Sequence, residues 1–230
     1  MAFFACGILL TGARRLSGAD GSSGASTAGM KPIFGPAPEP FWANSGLVTF
    51  GFQFGYGLEN HIPHDVSHIN MLIAQPQIGI VAWQSYRSRL PFNRVEIISE
   101  GILGGAPRPG GHLFGDTVLF RFGFKPVGHT VPFIDAGSGP LHTTLDKSAL
   151  EVAGETQFLS QCGAGIQYFY KPQHAIVVEY RYFHMSNAGL QLPNPGFNGS
   201  MVTIGFRWLR RPRPLNVASS HNSLHFLHIW

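Results

Sequence analysis

Residues 47–57 read LVTFGFQFGYG, and residues 199–209, far along the chain, read GSMVTIGFRWL. In the first stretch Val48, Phe50, Phe52, Phe54 and Tyr56 share one parity, while Thr49, Gly51, Gln53, Gly55 and Gly57 share the other. The second sets Val202, Ile204, Phe206 and Trp208 against Met201, Thr203, Gly205 and Arg207. Alternation with period two is the signature of a strand whose faces meet different surroundings. In a soluble sandwich or ligand-binding barrel, the competing reading, the polar face would meet water and carry lysine and glutamate. Here that face is mostly Gly, Thr and Gln, which suits a narrow polar interior with the bulky face turned to lipid.

Composition points the same way. Only 12% of residues are Asp, Glu, Lys or Arg, against about 25% in an average soluble domain. No run approaches the roughly 18–20 apolar residues of a membrane-spanning helix. A closed barrel is the other structure that satisfies its own backbone in hydrocarbon. The 29 glycines, 17 prolines and 19 phenylalanines favour short strands and turns over helices.

The expected fold is therefore all-β, an eight-stranded antiparallel outer-membrane β-barrel. Its strands are predicted near Leu47–Gly57, Asn70–Ala82, Val95–Gly104, His112–Lys125, Thr130–Leu141, Gln157–Tyr170, Ala175–Met185 and Gly199–Leu209. Each approximates the ~9–11 residues of a tilted strand crossing a bilayer. In the fourth, Val118, Phe120, Phe122 and Phe124 oppose Thr117, Arg121 and Gly123; the third, with Glu96 and Glu100 in phase with Ile98 and Ile102, cannot be phased. Residues 45–209 form the predicted barrel. Residues 1–44 read as an atypical leader (the apolar run Phe3–Leu10 is followed, not preceded, by Arg14 and Arg15) and a Gly/Ser/Ala-rich linker. Residues 210–230 read as a basic, histidine-containing tail.

A net charge of +4 fits anionic headgroups but is no strong signal, and the one dense basic run, Arg210, Arg211 and Arg213, gives no nucleic-acid surface. Two cysteines, Cys6 and Cys162, make no disulfide framework. His61, His64 and His68 with Asp65 have a metal-like spacing, but Pro63 makes a loop the better reading, and no metal is expected. Glu179 and Arg181 are expected to pair with Arg121 or Arg207 across the interior.

The seventh strand carries the chemistry. Ile176, Val178, Tyr180, Tyr182, His184 and Ser186 share one parity, so a lipid-facing Ile/Val/Tyr surface takes His184 and Ser186 with it. Two residues span about 6.6–6.8 Å of strand, within reach of an imidazole leaning toward a hydroxyl. A base bonded to a hydroxyl is the core of nucleophilic acyl transfer. By itself this H-x-S step also fits a polar rim beyond a tyrosine belt.

The segment from Glu179 to Asn198, EYRYFHMSNAGLQLPNPGFN, resembles the signature of the PagL-type lipid A 3-O-deacylases: H-x-S-N-A-G at a strand end, then P-N-x-G before the last strand. The match covers about Glu179–Trp208. The resemblance implies an outer-membrane serine esterase that cleaves the 3-hydroxyacyl ester of lipid A without metal or organic cofactor. Its partners would be lipopolysaccharide and membrane lipid, with monomer and homodimer both open. Ser186 falls on the nucleophile and His184 on the general base. Asn187, Gly189 and Asn194 fall on positions that orient the site or stabilise the oxyanion, though all three also suit plain turns. The family's triad glutamate is replaced by Asn198, which can orient a histidine but cannot stabilise imidazolium by charge. That departure keeps open a catalytically silent barrel with a structural or lipid-recognition role.

Overall fold

The computed structural model describes residues 47–60, 67–85, 89–192 and 194–210. Eight strands run in order: β1 (Val48–Glu59), β2 (Asn70–Gln84), β3 (Phe92–Arg108), β4 (Gly111–Phe124), β5 (Thr130–Thr143), β6 (Thr156–Lys171), β7 (His174–Ser186) and β8 (Phe197–Arg210). Each pairs antiparallel with its neighbours, and β8 closes on β1. The expected all-β, eight-stranded barrel is observed. Following paired residues from Asn198 on β8 back through β7 to β1 returns to β8 at Trp208, ten residues further along. A stagger of that size goes with strands tilted by roughly 35–45°.

Every strand but β4 exceeds its predicted length, β3 most of all. Arg94 and the Gly104–Gly105 pair look like strand breakers, yet Arg94 turns inward to Glu96 at 2.8 Å and the glycines stay paired with β2 and β4. The final strand also begins earlier than expected, so Asn198 lies within β8.

Hydrophobic side chains alternate outward on β1, β2, β4, β6, β7 and β8: Phe54, Tyr56, Ile78, Ile80, Phe120, Ile166, Val178, Ile204 and Phe206 are exposed. Such a band is what lipid requires. The interior is stratified. At one end Ile69, Met71, Ile102, Leu141, Phe183, Met185 and Met201 belong to an apolar plug enclosing a void of only about 10 Å³. A smaller plug of Leu47, Val81, Val131, Phe169, Ala175 and Leu209 closes the other. Between them lie four arginines (94, 121, 181, 207) and four carboxylates (Glu96, Glu100, Asp135, Glu179), all buried.

This charged layer settles the phase of β3, whose Glu96, Ile98, Glu100 and Ile102 all point inward. It also corrects an expectation: the inner face is not merely small and neutral. Of the two arginines expected opposite Glu179, Arg121 reaches it at 3.1 Å, whereas Arg207 binds Glu96 and Gln167 instead. Arg181 sits at the centre, with Nη1 2.5 Å from Glu100 and Nε 2.5 Å from Glu179. Breaking such a buried pair strands its carboxylates, which costs about 3–5 kcal/mol. Arg181→Ala should lower unfolding free energy in urea titrations of the detergent-solubilised barrel by that amount. A loss below about 1 kcal/mol would mean that the carboxylates neutralise without it.

Residues 1–46 and 211–230, with the predicted leader, linker, Cys6 and most of the tail, lie outside the described residues. So do His61, His64 and Asp65. Cys162 faces outward on β6.

Candidate active site

β1, β5 and β7 finish at one end, with 10, 12 and 10 residues separating them from the starts of β2, β6 and β8, and the tight turn at 109–110 is at the same end. At the opposite end lie residues 47 and 210, and there 7, 5 and 2 residues separate the ends of β2, β4 and β6 from the starts of β3, β5 and β7. Longer loops face outward from the cell in outer-membrane barrels, so the H-x-S step sits at the outer-leaflet end.

Alternation fixes which way that step points. Ile176, Val178, Tyr180 and Tyr182 are exposed on the outer face of β7, and half-buried His184 and Ser186 continue the same row. This sequence from aliphatic through tyrosine to polar follows a path from hydrocarbon to headgroups. Phe183 and Met185 alternate inward into the apolar plug. Phe183 packs edge-on against Phe197 with centroids 5.8 Å apart. Gly199 makes room for it, since a Cβ there would lie 2.2 Å from the Phe183 ring. The packed side of the strand therefore locks the phase of the side that carries His184 and Ser186.

Register places His184 opposite Ser160 on β6 and Asn198 on β8. His184 Nδ1 lies 2.9 Å from Asn198 Oδ1. An amide oxygen only accepts, so Nδ1 carries the hydrogen and Nε2 keeps a free lone pair. Ser186, the last residue of β7, pairs with Phe158. Gly196 sits against both His184 and Ser186: with φ +65°, a Cβ on it would lie 2.8 Å from the Met185 carbonyl oxygen, 2.9 Å from Ser186 Cβ and 3.1 Å from His184 Cε1. Gly196 thus borders both His184 and Ser186, in a tight, left-handed position that suits only glycine.

The loop beyond Ser186 is tied by its own amides. Asn187 is buried; its Nδ2 donates to the carbonyls of Ala153 and Gln191 at 2.8 Å each, and its Oδ1 accepts from Gly189 N at 2.9 Å. Gly189 holds a left-handed φ of +84°. Asn194 Oδ1 accepts the Asn187 N–H at 3.1 Å. Asn187 and Gly189 therefore shape the loop, and the Asn194 side chain is anchored next to Ser186 with its Nδ2 a further donor. Glu151 extends the bracing by accepting from the backbone N–H and hydroxyl of Ser67. Sequence reading missed Ala153, whose backbone carbonyl has no residue-type signal, and quoted Gly196 without a role.

The comparisons with known proteins bear on this arrangement. The family model described as lipid A 3-O-deacylase (PagL) matches residues 77–207, more than half of the chain. The chain belongs to the PagL family. Among solved structures it is similar to the outer membrane enzyme PagL, at 18% identity over 72% of this chain and 99% of that one, with a TM-score of 0.50. At that identity PagL shares the fold. Neisserial surface protein A (13% identity, 70% of this chain and 95% of that one, TM-score 0.43) and a de novo designed transmembrane β-barrel (15%, 73% and 98%, 0.41) are also similar. No curated protein sequence matches. Membership of the PagL family makes this chain an outer-membrane barrel of the lipid A deacylase type.

Proposed function

We propose that this barrel is a serine esterase that releases the 3-O-linked hydroxyacyl chain of lipid A. The observation that carries the reading is the His184–Asn198 hydrogen bond beside Ser186, on the lipid-facing side at the outer-leaflet end. Ser186 Oγ attacks the ester carbonyl while His184 Nε2 takes its proton. The tetrahedral intermediate collapses, the bond to the sugar oxygen breaks, and His184 returns the proton to that oxygen. Water, deprotonated by the same imidazole, then hydrolyses the acyl-serine. Ser186 is regenerated and a free 3-hydroxy fatty acid leaves. Asn198 holds the tautomer throughout, and Asn194 Nδ2 is the proposed oxyanion donor, a type of contact worth about 10²–10³ in turnover.

Purified protein mixed with lipopolysaccharide should release 3-hydroxy fatty acid, and lipid A should lose the matching mass. Lipid A of unchanged mass would favour the second reading, a silent barrel, which the uncharged Asn198 supports. Gly196→Ala gives a narrower test. The added methyl pushes apart His184 and Ser186, and a displacement near 1 Å can cost about 10²-fold in rate. Release should fall by that factor with the β circular-dichroism signal retained; an undiminished rate would detach Gly196 from the site.

A further inference from the structure

The two ends of the barrel differ in charge. At the outer-leaflet end acids and bases mix, as in the exposed Lys147–Glu155 pair. At the opposite end, the exposed charged side chains among the described residues are Arg89, Lys125, Lys171 and Arg210, all of them basic. Glu96 lies toward that end but is buried against Arg94 and Arg207. Two of the four cations flank one aromatic platform. Lys171 on β6 pairs with His174 on β7, and His174 pairs with Trp208 on β8, two residues before Arg210. Tyr168, Tyr170 and Trp208 are exposed on this wall, and the Tyr170 and His174 ring centroids are 6.0 Å apart. Two strand spacings and two residues of rise set the Lys171 and Arg210 backbones about 12 Å apart. Two long basic side chains can close that gap around one phosphate. Toward the bilayer centre the same three strands turn apolar, with Ile166, Ile176, Val178, Ile204 and Phe206 exposed.

We infer that this patch binds an anionic phospholipid of the inner leaflet. The lipid's phosphate sits between Lys171 and Arg210, its glycerol lies against the aromatic rings, and its chains follow the apolar face. A soluble phosphate would engage the cations but leave the rings and the apolar face beyond them without a part. In sequence the chain continues with Arg211 and Arg213, so positive charge is concentrated at this corner of the barrel. Such a lipid fixes the depth of the barrel in the membrane. Ten residues of β7 separate His174 from His184. At about 3.4 Å per residue and roughly 40° of tilt, that is about 26 Å of height. The apolar band of an outer-membrane barrel is about 25 Å tall. Holding His174 among the inner headgroups therefore holds His184 among the outer ones. The inference needs only the orientation of the barrel and stands whether or not Ser186 is a nucleophile.

Native mass spectrometry of the full chain in non-ionic detergent tests this, with phosphatidylglycerol and phosphatidylcholine of matched chains as the probes. A basic residue at a lipid surface strengthens anionic binding about fivefold, so the protein should retain phosphatidylglycerol about tenfold or more over phosphatidylcholine. Lys171→Gln combined with Arg210→Gln should bring that preference down to about twofold or less. Arg89→Gln combined with Lys147→Gln removes the same charge from other exposed positions and should leave the preference in place. All four changes are on the surface, and the β circular-dichroism signal should persist in both proteins. Equal loss in the two double variants would reduce the effect to net charge and overturn the patch. A preference that survives Lys171→Gln with Arg210→Gln overturns it as well. Displacement of the lipid by excess inorganic phosphate would make this a free-phosphate site and reject the lipid as its occupant.

Discussion

Ser186→Ala is expected to abolish release of 3-hydroxy fatty acid from lipopolysaccharide, a loss of at least about 10⁴-fold. Removing the nucleophile of a base-activated serine enzyme costs up to about 10⁶, and binding and oxyanion donors supply the residue of catalysis. The smaller figure applies because His184 here leans on an uncharged partner, so the starting rate is lower. His184→Ala should match the loss, and the double variant should add almost nothing, since the two residues act as one unit. The readout is fatty acid released per protein over hours, with heat-resistant β signal confirming the fold. Equal release from Ser186→Ala and the parent protein would remove Ser186 from the chemistry.

That expectation depends on how substrate arrives. Apolar plugs at both ends and the paired charges between them leave no path through the barrel. His184 and Ser186 stand on the outer wall, past two tyrosines at the edge of the hydrocarbon band. On the proposed function, a lipid diffusing in the outer leaflet would meet them sideways, with its ester at the depth where chains join headgroups. The same inward packing that shuts the lumen, Phe183 against Phe197, holds the face with His184 and Ser186 outward. Stability and access are therefore two faces of one alternation.

Much of this was legible in the chain because a lipid-facing barrel writes its phase at every second residue. Phe50, Phe52, Phe54 and Tyr56 declared β1, and Ile176 to Ser186 declared both the strand and the face of the site. β3 was illegible because Glu96 and Glu100 alternate with isoleucines on the inner face; a buried carboxylate reads as exposed until its arginine is known. Arg181 and Arg207 come from strands far away in sequence, and no local pattern announces such a pairing. Asn198, read from the family signature as the histidine's orienter but left outside the predicted last strand, lies within β8 and directly opposite His184.

Replacing Asn198 with an acid is expected to raise turnover by about 10², and by no more than the ~10⁴ separating acid from amide in a serine triad. Asn198→Asp is the cleaner variant, because it keeps the oxygen that already lies 2.9 Å from His184 Nδ1 and changes only the charge. Asn198→Glu restores the residue type of the family signature but must accommodate one more methylene. Both keep Nδ1 as the donor, so the tautomer is the same and the gain isolates stabilisation of the imidazolium. A second reading separates this from mere improvement in folding. A neighbouring anion favours protonated histidine, so the acid limb of the pH–rate profile should move to higher pH in either variant. Turnover raised less than about twofold, with the limb unmoved and the β signal intact, would mean that the residue at 198 does not act through His184. The Asn198 side chain would then be a strand contact, and the case for a silent barrel would be the stronger one.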